Sequence, residues 1–402
     1  MTAVCPHFPM PRDDADRYGP PPELVRLRDE APISRVQLWD GSTAWLVTRY
    51  DDQRALLSDP RFSADTRRPG FPQSAPATAS WFARARPLMT MDGPEHGALR
   101  RAMTASFTIK SVERLRPRVQ ELVDGLIDDI LAAGPVADLV TALAQPVPSA
   151  VICELLGVPY ADHAYFIDAA HTVVSGRSTA DEAAQAIDGL RAYMAELADA
   201  KAATPDEGLY SKIVATQYLT GTYTREETAA IGLQLLLAGH DTTASQIALG
   251  TLALLDHPDQ AQRLRDDPSP AAVAGAVEEL LRFLTITHTG RRRVALEDVE
   301  IAGHLIRAGE GVIAPSDVSN REAGVFGRPD DLDLARSARH HLTFGYGVHQ
   351  CLGAPLARLE LQVVHATLFR RIPTLRLAVP HSELAYKDDS VVYGLRALPV
   401  TW

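Results

Sequence analysis

Two short segments hold most of the side chains suited to chemistry. The first is Phe344-Gly-Tyr-Gly-Val-His-Gln-Cys351-Leu-Gly353, one cysteine among three glycines with a helix signal behind it. Pro355 suits the first turn of that helix, where a missing N–H costs nothing. A thiolate just ahead of a helix N-terminus is stabilised by the dipole and by free backbone N–H groups. Those groups also temper its basicity as a metal ligand. The glycines let backbone approach a flat ligand closely, and Phe344 is placed to shield the sulfur. Taken alone, a single cysteine in a turn reads first as a buried structural residue. A zinc site is short of ligands: there is no Cys-x2-Cys, and His349 with Cys351 supplies only two.

The second segment is Ala238-Gly239-His240-Asp241-Thr242-Thr243. Small residues at 238 and 239 leave room against a helix, and a mid-helix glycine costs about 1 kcal/mol relative to alanine, so it needs a reason. Thr242 can bond back to a carbonyl one turn earlier and open the helix locally. Asp241 beside it can relay protons. In isolation such a run is more often structural.

These segments need elements to hold them. Thr224-Arg-Glu-Glu227 fits a capping box, and the helix it starts can run to Asp256, where His257-Pro258 ends it. That helix is roughly 50 Å long, with the acid–alcohol cluster at its middle. Further helices are predicted at 22–30, 51–58, 271–285 and 355–371. Ile33–Leu38 and Thr43–Thr48 alternate like strands around the Asp40-Gly41 turn. Residues 69–90 read as a long loop, 290–316 as short strands and turns, and 325–350 as largely irregular. Helices far outnumber strands: the fold class is mainly α, a single domain over 1–402 with β-rich portions near 30–60, 290–320 and 375–402.

Bulk properties fit. The chain has 402 residues, 46% apolar and 23% charged, with a net charge of −11. An acidic balance argues against nucleic-acid binding. Cys5, Cys153 and Cys351 are too sparse for a disulfide framework, so a reducing compartment fits. No signal peptide is seen, and no run reaches the ~18–20 apolar residues of a membrane span. The expectation is a cytoplasmic monomer that touches neither membrane nor nucleic acid.

The pattern Phe-Gly-x-Gly-x-His-x-Cys-x-Gly resembles the haem-binding signature of the cytochrome P450 family, and the likeness extends along nearly all of the chain. It implies the P450 fold, with haem b between the long helix and the Cys351 loop. It makes Cys351 the iron ligand and puts Ala238, Gly239, Phe344, Gly345 and Gly353 against the cofactor. It implies that Asp241 and Thr242 deliver the two protons that O–O cleavage needs, while the thiolate favours that cleavage. His96, Arg100, Arg293 and His349 match propionate-binding positions, where cations and donors serve. Arg291 and Arg292 adjoin Arg293, which leaves the register there open.

Glu279-Leu-Leu-Arg282 matches the family's buried Glu-x-x-Arg pair. Its third partner is expected in the stretch Phe326 to Asp333, where Asp331 can pair with Arg282 but would repel Glu279. Substrate contacts are implied at Trp81, Phe82, Met89, Gln234, Leu237, His288, Thr289, Val391 and Val392, a mainly apolar wall with a few polar anchors.

Asp65-Thr-Arg-Arg-Pro-Gly-Phe71 and Ala397-Leu-Pro-Val-Thr-Trp402 are similar to actinomycete members, which tailor polyketides, terpenoids or peptides, or oxidise foreign compounds. The resemblance therefore implies hydroxylation or epoxidation of a mid-sized to large organic molecule with O2. Electrons would come from a ferredoxin docking near Arg100, Arg101 and Arg358. Oxidative cyclisation or coupling, peroxide-driven turnover and a haem sensor without turnover are the rival readings.

Overall fold

The computed structural model describes residues 5–74, 87–174 and 179–402. The chain groups into two compact units, Met1–Gly97 with Glu278–Cys351, and Ala98–Val277 with Leu352–Trp402.

The first unit is built on a five-stranded sheet. Its spatial order is Ile33–Gln37, Thr43–Val47, Gly311–Ala314, Arg291–Ala295, Phe62–Ser63. The first two strands form the antiparallel hairpin expected from the Asp40-Gly41 turn, with Ile33 opposite Val47 and Gly41 at φ 81°. Trp45 and Leu46 then pair in parallel with Val312 and Ile313. Apolar side chains on the two faces enter separate clusters. Leu46 and Ile313 join Phe8, Leu24 and Val36, while Val47 and Val312 join Leu56, Phe62 and Ala295. This is the period of two at work. Helices Pro22–Glu30 and Tyr50–Ser58 lie in this unit. Buried Gln53 ties the second of them down, donating to the carbonyls of Val47 and Pro315 and accepting from Ser319.

The second unit is helical. Its longest element, Arg225–Asp256, starts at the expected capping box. The Glu227 N–H donates to Thr224 Oγ1 at 3.2 Å, and the Thr224 N–H donates to the Glu227 carboxylate at 2.8 Å. Buried positions go almost all the way round it, so it is a core helix rather than a surface one. Pro258 does not simply end it but opens another helix, Pro258–Asp266, the position proline favours. Around these stand Arg116–Ala133, Pro146–Leu156, Ala180–Ala203 and Ala354–Arg371. A three-stranded sheet joins Val136–Asp138, Pro399–Thr401 and Arg376–Leu377; its first strand was not expected. No helix among the described residues is long and apolar enough to cross a membrane.

Candidate active site

Cys351 closes its own loop: its N–H donates to the Phe344 carbonyl at 2.8 Å, and the Gln350 N–H donates to the Gly347 carbonyl at 3.0 Å. Gly347 adopts φ 72°, and a Cβ there would lie 2.5 Å from the Leu57 carbonyl oxygen, so only glycine fits. The thiol is exposed. Gly353 caps helix Ala354–Arg371, with Pro355 in its first turn as expected. Beside the loop, Arg291 donates to Thr287 Oγ1 at 2.9 Å and to the Thr343 carbonyl at 2.7 Å. A Cβ on Gly345 would sit 3.2 Å from its Nε. Burial lowers the Arg291 pKa, and the Cys351 charge works against that fall. A cation so placed favours the thiolate.

Three of the four expected propionate groups gather around a residue the sequence reading missed. The His96 and His349 rings lie 4.3 Å apart, and His349 Nε2 is 3.6 Å from Asp92 Oδ1. The Ala64 N–H donates to the same carboxylate at 3.0 Å, and the Ser63 hydroxyl also donates to it. Burial pushes the Asp92 carboxyl up. The His349 and Ser63 hydrogen bonds, the Ala64 N–H and the His349 charge outweigh it and hold the group well below the usual carboxylate range. Arg293 lies within strand Arg291–Ala295. It shares a face with Arg291, because Arg291 and Arg293 stand opposite Ala314 and Val312 while Arg292 stands opposite Ile313. Burial, helped by Arg291, pushes the Arg293 pKa down to about 10 against the pull of Asp92. The fourth group, Arg100, sits one turn beyond His96 on helix Gly93–Thr104.

Behind the loop, Glu279 and Arg282 are fully buried. Arg282 Nε and Nη2 reach the two Glu279 oxygens at 2.7 and 2.8 Å. The third partner is Arg336, whose Nε donates to Glu279 Oε1 at 3.0 Å. This corrects the expectation for Asp331, whose carboxylate pairs with Arg328 and which offers Arg282 only its backbone carbonyl. A second carboxylate beside Glu279 would be repelled, whereas a guanidinium completes the cluster.

On the long helix, Leu235, Ala238 and Thr242 share one face and stay partly or wholly uncovered, while Leu236, His240, Asp241 and Thr243 are buried. Thr242 Oγ1 donates back to the Ala238 carbonyl at 2.8 Å, as its type allows, yet the helix runs unbroken. A Cβ on Gly239 would come within 2.8 Å of Ile152 Cγ1, so this glycine admits helix Pro146–Leu156. Asp241 is buried and accepts from Lys387 Nζ at 2.7 Å. His240 bonds Ser149 Oγ at 2.5 Å.

Of the expected substrate contacts, Trp81 and Phe82 lie outside the described residues. Met89 and Val391 are exposed, Gln234 and Thr289 are buried, and Leu237, His288 and Val392 are half-buried. Arg100 and Arg101 stand on helix Gly93–Thr104 and Arg358 on helix Ala354–Arg371. The residues present fit a haem. An exposed thiol, a glycine loop against it and a cation-and-imidazole cluster suited to carboxylates occur in one unit. In the other unit, taken by itself, the core helix leaves the small residues Ala238 and Thr242 partly or wholly uncovered.

A mainly α chain with a cysteine presented ahead of a helix, and an acid–alcohol pair inside its longest helix, defines a narrow class. The Cytochrome P450 family model matches residues 272–380. Cytochrome P450-SU2 of Streptomyces griseolus is 50% identical over 96% of this chain and 94% of its own. Pentalenic acid synthase of Streptomyces avermitilis is 46% identical over 100% and 99%. The crystal structure of GfsF superimposes with a TM-score of 0.94 at 46% identity, covering 99% of this chain and 100% of that one. The chain belongs to the cytochrome P450 family. It is a bacterial, actinomycete-type haem-thiolate monooxygenase that uses haem b, O2 and an organic substrate.

Proposed function

We propose that Cys351 would bind the haem iron through its sulfur, that His96, Arg100, Arg293 and His349 would hold the propionates, and that Asp241 and Thr242 deliver protons. When bound, the haem supplies the redox chemistry that splits O2 and transfers one oxygen atom to the substrate. The chain's residues do the rest. Arg291 and the backbone N–H groups ahead of helix Ala354–Arg371 hold the Cys351 sulfur as thiolate. Asp92 fixes the His349 ring beside His96, so the pair presents N–H groups to carboxylates. Thr242, tied back to Ala238, keeps its hydroxyl on the uncovered face of the long helix, where it can pass a proton onward.

Electrons come from a ferredoxin, with Arg100, Arg101 and Arg358 as its docking cations, in a cytoplasmic setting that supplies NAD(P)H. The substrate is a mid-sized to large natural product of the kind tailored in secondary metabolism, and hydroxylation or epoxidation is the reaction. A relative named for pentalenic acid supports that class. Product mass separates oxygen insertion, one oxygen gained, from oxidative coupling, two hydrogens lost.

The observation that carries the reading is the exposed Cys351 thiol on a glycine loop beside the Arg291 cation. Its test is the reduced, CO-bound spectrum of the protein and of Cys351→Ala. The red-shifted band of a thiolate-ligated haem should appear in the parent and vanish in the variant; the same band in both would overturn the assignment.

A further inference from the structure

We propose that Lys387 is the positioning residue of the proton-delivery acid, an inference that rests on the reading of Asp241 given above. Lys387 is 146 residues away from Asp241 in sequence, yet its ammonium donates to Asp241 Oδ1 at 2.7 Å and reaches Ser245 Oγ at 3.4 Å. Both charged side chains are largely buried, 11% exposed for Lys387 and 6% for Asp241. The pair is therefore not a solvated surface contact, whose worth is small.

An antiparallel hairpin brings Lys387 to the helix. The Lys387 N–H donates to the Gly394 carbonyl at 2.9 Å, and the Arg396 N–H to the Ala385 carbonyl at 2.8 Å. Tyr386 and Tyr393 stack with centroids 5.8 Å apart. The hairpin approaches the helix at Gly394, where a Cβ would lie 2.6 Å from Ser245 Oγ. Ser245 is one turn beyond Asp241, so the closest approach and the ion pair sit on adjacent turns.

The geometry also divides the labour of the carboxylate. Oδ1 takes the lysine, while Oδ2 is buried and accepts no hydrogen bond from the described residues. A buried carboxylate needs a hydrogen-bonding partner to hold its orientation. Lys387 supplies it through Oδ1, leaving Oδ2 to accept a proton and pass it on. Thr242, the next residue, lies on the uncovered face instead. Acid and alcohol thus leave the helix in different directions, and how the acid is held decides whether a proton can cross from one to the other. The turn of the same hairpin carries Val391 and Val392, so the acid is anchored to an element proposed to touch substrate.

The test uses the holoenzyme with a plant-type ferredoxin, its reductase and NADPH. It reads the fraction of consumed O2 released as hydrogen peroxide, with the solvent isotope effect on turnover. Lys387→Met keeps the stem and removes the charge; Lys387→Arg keeps the charge. A positioned proton relay is worth ~10²-fold. Partial loss of it should raise the peroxide fraction about threefold or more in Lys387→Met, increase the isotope effect, and be largely reversed in Lys387→Arg. In an Asp241→Asn background the lysine change should add nothing.

An unchanged peroxide fraction and isotope effect in Lys387→Met, with Asp241→Asn still impaired, would leave Lys387 a merely structural residue and defeat the proposal. If Asp241→Asn is unimpaired as well, it is the proton-delivery reading that fails. Acetylation of Lys387 in the unmutated holoenzyme and in Asp241→Asn, followed by peptide mass spectrometry, decides the matter if Lys387→Met does not retain haem. Faster acetylation in Asp241→Asn supports the pair, and equal rates overturn it.

Discussion

Two buried carboxylates in this chain meet cations in opposite ways. Glu279 is saturated: Oε1 accepts from Arg282, Arg336 and the Asp333 N–H, and Oε2 accepts from Arg282. Arg282 spends its remaining donors on the carbonyls of Asn320, Pro329 and Asp331. Asp241 holds a single lysine through one oxygen and keeps the other without a donor among the described residues. A saturated cluster has one low-energy arrangement, so it specifies the irregular segment after Phe326 and cannot easily exchange a proton. A half-held carboxylate retains a lone pair for chemistry at some cost in stability. The difference separates a carboxylate that builds a loop from one that can serve a reaction.

The sharpest way to break this comparison is to make the same change at both sites. Glu279→Gln keeps the shape but leaves the Arg282 guanidinium buried beside a neutral amide, and should cost about 3–5 kcal/mol, with poor retention of haem. Asp241→Asn leaves an oxygen to accept from Lys387 and should cost about 1 kcal/mol. Urea unfolding of both variants measures the two costs, and near-equal values would dissolve the distinction. A smaller effect probes the third member of the cluster. Arg336 donates to Glu279 and to the carbonyls of Phe326, Gly327, Arg328 and Asp331. Arg336→Lys keeps the charge but loses the planar fork, so a loss of about 1–2 kcal/mol is expected. Thermal unfolding should show it between the parent and Glu279→Gln.

What the sequence could disclose follows the same division between local and distant partners. The long helix, its capping box, the hairpin around Asp40-Gly41 and the glycine loop before Cys351 are written in residues within a few positions of one another, and each was legible. Arg336 and Lys387 were not. Their partners lie 57 and 146 residues away, and nothing periodic links them. Asp92 was missed for a similar reason, because its importance comes from His349 and Ser63, which only the fold brings near. Strand Val136–Asp138 is three residues long and pairs with the chain's last strand, too short for alternation to register. For Arg291 the signal is local and was left open between three adjacent arginines: in a strand, the residue two before Arg293 must share its face.

A third buried carboxyl sharpens the comparison from the other side. Glu360 on helix Ala354–Arg371 is almost wholly buried, pairs with no cation among the described residues, and has one oxygen without a donor. Burial alone raises its pKa from 4.5 to about 8. Where Glu279 is bridged by two guanidinium groups, Glu360 is kept neutral by burial. Its folded pKa lies above the unfolded one, so the folded state holds the extra proton. Its contribution to stability is complete below about 4.5 and is lost as pH rises through about 8. Glu360→Gln fixes the neutral state and should flatten the fall of stability with pH in that window by up to about 1.4 kcal/mol per pH unit. His365, five residues along the same helix, has the opposite sign. Burial lowers its pKa from 6.5 to about 4, so its contribution is present above 6.5 and lost as pH falls through about 4. The variant should therefore change the alkaline limb of the unfolding profile and leave the acid limb alone. A profile shifted equally on both limbs would mean that Glu360 carries a counter-charge after all, and would return it to the class of Glu279.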